Sequence, residues 1–231
     1  MDRLGTKSRS LGSCVIAAAI LFASMSRSGV ASQAKGEASQ SGAAHLSIGS
    51  VTGNKYTNDS VGMTYVLPQG WSVDAAAMAA ANDTAKKYLA THGSGGDSTD
   101  YSGPVWLVVS KFAEKPNAKP GSFVSGPSII LSGSTLHGPD EHKTAAEIQN
   151  AAKQQLESKD RLVFVTGPTD FSIGGQSFSR IDRTVGGFIY WSDAVTIRNH
   201  IRIDFQFMAV STTQLEDLYK SLNTLEFREP D

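Results

Sequence analysis

Residues 56–71 read YTNDSVGMTYVLPQGW, and how this stretch folds decides the architecture around it. Two short β-type runs, KYT ending at Thr57 and MTYVL from Met63 to Leu67, flank NDSVG, where Asn58, Asp59 and Gly62 supply turn geometry that bulkier residues resist. That order predicts a hairpin. Pro68 lacks the amide needed to continue a central strand and Gly70 lets the chain turn sharply, so Trp71 is expected at a corner. Nothing in the stretch is arranged for catalysis, so it reads as architecture.

Downstream, Asp74 to Thr91 is alanine-rich, with Met78, Ala81, Ala85, Tyr88 and Leu89 at helical spacing and Gly93 as a stop. Gly93–Gly103 reads as a loop, VWLVVSKF (Val105–Phe112) as a strand apolar enough to be central, and Glu114–Pro127 as a Pro/Gly loop. SIILSGSTL (Ser128–Leu136) is the next strand. A helix follows from Thr144 to Ser158 on an apolar stripe of Ala145, Ile148, Ala152 and Leu156. RLVFVTG predicts a strand, TDFSIGGQSFSRIDRTV two more hinged at Gly174 and Gly175, and FIYWSDAVTI and IRIDFQFMA another pair. In the last of these, Ile201, Ile203, Phe205 and Phe207 alternate with Arg202, Asp204, Gln206 and Met208, the period of a half-buried strand. The closing STTQLEDLYKSLNTLEF has Thr213 and Glu216 at capping-box spacing, and a broad apolar face of Leu215, Leu218, Tyr219, Leu222 and Leu225. The implied fold class is α+β, an antiparallel β-sheet covered by helices.

The last hairpin admits two registers. A two-residue turn at Asn199 and His200 puts Ile201, Ile203 and Phe205 on the face of Arg198, Thr196 and Ala194; a three-residue loop from Arg198 to His200 aligns them with Ile197, Val195 and Asp193. The second also brings Trp191 opposite Phe207 and is the expectation. It leaves Asp193 in an apolar face, where a lone carboxylate is costly. Either Arg183 shares that face and pairs with it, or a bulge turns Asp193 outward.

The order Tyr-x-Asn, Gly-x-x-Tyr-x-Leu-Pro-x-Gly-Trp, helix, strands, helix, antiparallel strands and final amphipathic helix resembles the PsbP/Mog1-like group. The resemblance rests on residues 56–71 and on IRIDFQFMAVSTTQLEDLYKSLNTLEF, and covers about residues 54–228. It implies an α/β/α sandwich and a non-enzymatic binding or assembly role, as in the group's exported bacterial proteins and lipoproteins. It brings no shared catalytic motif.

The N-terminus has the pattern of a secretory signal peptide: Arg3, Lys7 and Arg9 precede the apolar run Cys14–Ala23, and small residues follow up to a cleavage site expected after Ala31, with Ala34 as the alternative. That run is half the roughly 20 residues a spanning helix needs, so no span is expected in the mature chain. LGSC (Leu11–Cys14) resembles a lipobox, but its cysteine begins the apolar run instead of ending it. A bacterial-type leader also departs from a plastid transit peptide, which argues against a photosystem role. Residues 32–53 are rich in Ser, Ala, Gly and Gln and read as a flexible tether, ahead of one domain at 54–228.

Loss of residues 1–31 removes the only cysteine, Cys14, and with it disulfides, thiolate catalysis and cysteine metal sites. It also removes Asp2, Arg3, Lys7, Arg9 and Arg27, leaving 17 basic and 21 acidic residues, net −4. A mildly acidic chain has no electrostatic drive toward nucleic acid.

Motifs for chemistry are sparse. In HGPDEH, His137, Asp140 and His142 are metal-donor types, yet the spacing matches no established site and the acids suit a helix start. Asp97 and Asp100 in GSGGDSTD are oxygen donors without the distal glutamate or the repeats of calcium loops. GGQSFS (Gly174–Ser179) lacks the last glycine and the helix of a nucleophile elbow, and GNK (Gly53–Lys55) fails the P-loop spacing. Asn58 and Asn82 head N-x-Ser/Thr sequons. Arg180, Asp182, Tyr190, Arg202 and Asp204 are expected on an exposed strand face, as a partner surface or as cross-strand ion pairs. The reading is an exported, non-catalytic binding or accessory domain for a protein or small-molecule partner, with no cofactor. The alternative is a metal-dependent protein or enzyme using the 114–142 loops.

Overall fold

The computed structural model describes residues 46–92, 103–111, 127–157 and 162–228. The segments expected to be signal peptide and tether, up to residue 45, lie outside these, as do 93–102 and most of the Pro/Gly loop, 112–126. In chain order the elements are β1 (Ser50–Thr52), β2 (Lys55–Asn58), β3 (Met63–Val66), β4 (Ser72–Val73), α1 (Ala75–His92), β5 (Val105–Ser110) and β6 (Ser128–Thr135). Then come α2 (Ala145–Leu156), β7 (Leu162–Ile173), β8 (Gln176–Val185), β9 (Ile189–Arg198), β10 (Ile201–Ala209), α3 (Thr212–Lys220) and β11 (Glu226–Phe227). A four-stranded sheet has the order β1-β2-β3-β11 and a seven-stranded sheet the order β4-β5-β6-β10-β9-β8-β7. Their ladders are antiparallel. The α+β class read from the sequence is the class observed.

The opening stretch forms the expected hairpin. Asn58 accepts from the Ser60 amide at 3.1 Å to start a short 3-10 turn, and Gly62 closes it at φ +60°. At the corner, Gly70 has φ +76° and the Trp71 amide donates to the Pro68 carbonyl at 3.1 Å. Part of the stretch expected to be tether is built into the hairpin, however. The Tyr56 hydroxyl donates to the Ile48 carbonyl at 2.9 Å and Asn58 Nδ2 to that of Ser47 at 2.8 Å, so β1 lies inside the stretch expected to be tether. These buried polar side chains of the hairpin need acceptors, and residues 47 and 48 supply them.

Between the two sheets lies the main core. Tyr65 of β3 meets Phe205 of β10 edge-on at 5.7 Å, and Phe205 stacks with Phe207 at 6.4 Å. Leu215 and Leu218 of α3, then Leu222 and Leu225, fill the same cluster. Tyr65 Oη and Ser221 Oγ, 2.7 Å apart, tie this helix to the small sheet. At Gly133 an added Cβ would sit 1.9 Å from the Trp106 ring, so only glycine lets that indole lie flat on β6.

On the opposite face of the large sheet lies α2, capped by a Thr144/Glu147 capping box. Its Gln149 Nε2 donates to the backbone carbonyls of Asp193 at 2.9 Å and Ser179 at 3.3 Å, pinning it across β8 and β9. Lys153 lies over the Phe164 ring at 5.6 Å. Helix α1 packs against β5: Asp74 caps it by accepting from the Ala77 amide at 2.8 Å, and Asn82 bonds both the amide and the carbonyl of Val105.

Three sequence expectations are corrected. The β9–β10 turn has two residues, with Asn199 at φ 51° and His200 at φ 59°, so Ile201 pairs with Arg198, Ile203 with Thr196 and Phe205 with Ala194. Both residues take the left-handed conformation that a primed turn requires. RLVFVTG and TDFSI are one strand, β7, carried through a cis Gly167–Pro168 bond and two ladder irregularities. Ser211, not Thr213, caps α3 by accepting from the Gln214 amide at 3.2 Å, because Glu216 is engaged elsewhere.

Candidate interaction surface

The five polar residues expected on one exposed strand face are divided between two covered faces. With the register above, Arg180, Asp182 and Tyr190 lie on the face of α3, and Arg202 and Asp204 on the face of α2. Asp182, Arg202 and Asp204 are buried, Arg180 and Tyr190 half-buried. Helix α3 is the reason on its side. Glu216 accepts from Arg180 Nη2 at 2.9 Å, and the Tyr219 ring lies 4.0 Å beneath the guanidinium. Arg180 Nε donates to Asp182 Oδ1 at 2.7 Å and to Ser192 Oγ at 3.1 Å, while the Thr166 hydroxyl donates to Asp182 Oδ2 at 3.0 Å. Every group in this cluster is engaged by another.

The α2 face holds two further pairs. Arg183 Nη1 donates to Asp193 Oδ2 and Trp191 Nε1 to Asp193 Oδ1 at 2.8 Å, so Asp193 points inward and is paired, and no bulge turns it out. Burial lowers the pKa of the Arg183 guanidinium, with the Asp182 carboxylate acting against that fall. Arg202 donates through Nη2 at 2.6 Å and Nε at 2.9 Å to Asp204 Oδ1. Asp204 Oδ2 and Ser132 Oγ, directly across the ladder, have no hydrogen-bond partner among the described residues. Burial raises the Asp204 pKa, opposed by Arg202.

In HGPDEH, His137 and His142 are exposed while Asp140 is turned in, ends a short 3-10 helix and pairs with Lys143. The three side chains do not converge: no group of three or more His, Cys, Asp or Glu side chains is placed to hold a metal among the described residues. Asp97, Asp100 and the N-terminal segment expected to be a leader lie outside the described residues. Both sequon asparagines are used internally, Asn58 buried under the hairpin and Asn82 on the Val105 backbone.

What the molecule exposes instead is apolar. Among the described residues, four of the six large exposed hydrophobic side chains stand at one end of the large sheet: Val163 at 61% of full exposure, Val165 at 54%, Phe188 at 60% and Val210 at 62%. Register brings them together. Val163 is opposite Thr184, Thr184 opposite Tyr190 and Tyr190 opposite Ala209, in one row across β7, β8, β9 and β10. Phe188 sits in the β8–β9 turn and Val210 just past β10. Gly186, at φ +64°, sets the aromatic ring: a Cβ there would lie 2.7 Å from Phe188 Cε1. The ring is thus folded back over the turn, in space that a side chain at position 186 would occupy.

Of the sequence-chosen partner residues, only Tyr190 adjoins this corner. The signals for the others were in the sequence. RLVFV is apolar at successive positions, which an edge strand must have covered on both sides, and Phe188 follows two glycines at a hairpin tip.

No family model and no curated protein matches the chain. Among solved structures it is similar to the cyanobacterial PsbP protein CyanoP of Synechocystis, at 12% identity and a TM-score of 0.46, covering 84% of this chain and 98% of that one. It is also similar to LpqN of Mycobacterium tuberculosis, described as involved in cell envelope biogenesis (12% identity, TM-score 0.39, 72% and 83% of the two chains). A third is the Ran-binding protein Mog1p of Saccharomyces cerevisiae (9% identity, TM-score 0.38, 72% and 90%). Two of the three, CyanoP and Mog1p, carry the names of the PsbP/Mog1-like group that the sequence resembles. At these identities the likeness concerns fold alone. No helix among the described residues is long and apolar enough to cross a membrane.

Proposed function

We propose that the chain is an exported, non-catalytic binding or accessory domain that engages a protein partner through the apolar corner of Val163, Val165, Phe188 and Val210. The observation that carries this reading is that four large exposed apolar side chains, Val163, Val165, Phe188 and Val210, lie at the same end of the large sheet. Clustered exposed apolar side chains are a usual mark of an interaction site, and aromatics are common anchors within one. Export is supported by the order of Arg3, Lys7 and Arg9, the apolar run Cys14–Ala23 and the small residues before Ala31.

The test is gel filtration of an extract of the producing host, with the chain followed by antibody. Wild type should elute in an assembly larger than a single chain, which is at most 24.5 kDa. The double variant Phe188→Asp, Val210→Asp should move to the single-chain position. Wild type eluting as a single chain, or a variant that stays in the assembly, counts against the reading.

A further inference from the structure

We infer that residues 46–52 are a strap that closes over Tyr56 at the edge of the small sheet and opens while the rest of the domain stays folded. Opening uncovers the Tyr56 hydroxyl and the outer edge of β2. The strap belongs to the other sheet from the apolar corner, and the inference stands independently of that corner.

Little of the strap is buried. β1 is a three-residue edge strand whose residues are all exposed, and Ser47 and Ile48 before it are exposed as well. Its contact with the main core is Leu46, which is half-buried. What fastens the strap is polar. The Tyr56 hydroxyl donates to the Ile48 carbonyl at 2.9 Å, and Asn58 Nδ2 donates to the Ser47 carbonyl at 2.8 Å and to Tyr56 Oη at 3.2 Å. The ladder of β1 on β2 adds Ser50 opposite Thr57, Val51 opposite Tyr56 and Thr52 opposite Lys55. When a surface segment lifts, bonds of this kind are exchanged for bonds to water, so each contributes little net. A segment held by surface backbone bonds and little apolar burial is the kind that opens locally.

The layer beneath is held differently. The Tyr56 ring lies in the main core with Val61, Met63 and Tyr65, and the Tyr65 hydroxyl meets Ser221 from the far end of the chain at 2.7 Å. Lifting the strap disturbs neither of these contacts.

Gly49 sets the closed position. It has φ +72°, and a Cβ there would lie 2.5 Å from the Thr57 carbonyl oxygen and 2.6 Å from Tyr56 Oη. Glycine is what lets the strap lie this close to β2. Gly49→Ala therefore disfavours the closed strap without changing a core side chain. The chain enters the domain through this strap, so a pull on the segment before Leu46 reaches the Ser47 and Ile48 carbonyls first. The strap is thus a cover over a strand edge, released from its N-terminal side, and an uncovered edge is a template for pairing with another strand.

Nitration of the purified full chain with tetranitromethane, located by mass spectrometry, tests the inference with Tyr65 as the internal reference. Both hydroxyls are hydrogen-bonded, and burial raises the pKa of each, so both resist a reagent that needs the phenolate while the domain is closed. Wild type should react at Tyr56 roughly tenfold or more faster than at Tyr65, because local opening is more frequent than global unfolding. Gly49→Ala should raise the Tyr56 rate by roughly tenfold, the cost of a left-handed residue with a side chain, and leave Tyr65 and the circular dichroism unchanged. In a Cys14→Ser background, oxidised Ser50→Cys with Thr57→Cys should bring Tyr56 down to the Tyr65 rate, and reduction should restore it. Equal rates at the two tyrosines in wild type, or a Gly49→Ala variant that raises both together, would overturn the inference, because the strap would then open only with the whole domain. A cysteine pair that does not oxidise, or a Tyr56 rate indifferent to it, would overturn it too.

Discussion

Strands β8, β9 and β10 treat their side chains in opposite ways along their length. Through the middle they bury charge: Arg180 with Asp182, Arg183 with Asp193 and Arg202 with Asp204, beneath α3 on one face and on the α2 face on the other. At the end near Phe188 they expose apolar groups, with β7 and the residue after β10 adding Val163, Val165 and Val210. The interior charges are consumed within the chain, because an unpaired buried ion costs several kcal/mol. The corner has no such internal compensation, and the chain contains nothing among its described residues that covers it. A polar interior is closed, and an apolar exterior is open.

The comparison predicts effects of very different size. The largest belongs to the cover of the paired interior. Ending the chain at Ser211 removes Leu215, Leu218, Leu222 and Leu225, all buried. At roughly 1.5 to 3 kcal/mol each, their loss is comparable to the whole stability of an ordinary domain. The truncated chain should be unfolded by circular dichroism; a soluble folded product would break the account of α3. Next is Arg183→Met, which strands the Asp193 carboxylate and should cost about 3 to 5 kcal/mol in denaturant unfolding. Adding Asp193→Leu should restore much of that loss, because the double variant buries no unpaired ion, although Trp191 Nε1 loses its acceptor.

A smaller, pH-dependent effect belongs to Asp204. Burial raises its pKa above 3.8 in the folded state, so the folded chain holds this proton more tightly than the unfolded one. The contribution of Asp204 to stability is therefore fullest at acid pH and falls as pH rises from 3.8 through the folded pKa. Asp204→Asn keeps an acceptor for Arg202 and removes the titration. Unfolding midpoints of the two proteins should diverge in favour of the variant as pH rises from 4 to 7; parallel curves would contradict the burial argument. Smallest on stability is Phe188→Asp, expected within about 0.5 kcal/mol of wild type because the side chain is already exposed, while association is lost. A large stability loss there would make the corner part of the core after all.

Legibility in the sequence followed the same division. The opening hairpin was readable because Asn58, Asp59, Gly62, Pro68 and Gly70 each fix a local geometry. The register of β9 and β10 was not, because the rule of placing apolar groups together assumes one buried face. Here both faces are buried, Ile203 and Phe205 on one and Trp191 and Val195 on the other, so alternation could not choose between them. The turn chemistry of Asn199 and His200 made the choice instead. Pairing of Arg183 with Asp193 was readable on the period-2 count, since it depends on β8 and β9 alone. Exposure of Val163 and Phe188 was signalled only in part, by the apolar run from Leu162 to Val165 and by the glycines before Phe188, because exposure also depends on which elements arrive to cover a strand end.

The measurement that tests the central claim most directly is photo-crosslinking in the producing host, with a photoreactive residue at position 188 and, in parallel, at position 55 on the small sheet. The account predicts one discrete adduct from position 188, identified by mass spectrometry as a protein, and none from position 55. No adduct from position 188, or the same adducts from both positions, would contradict it.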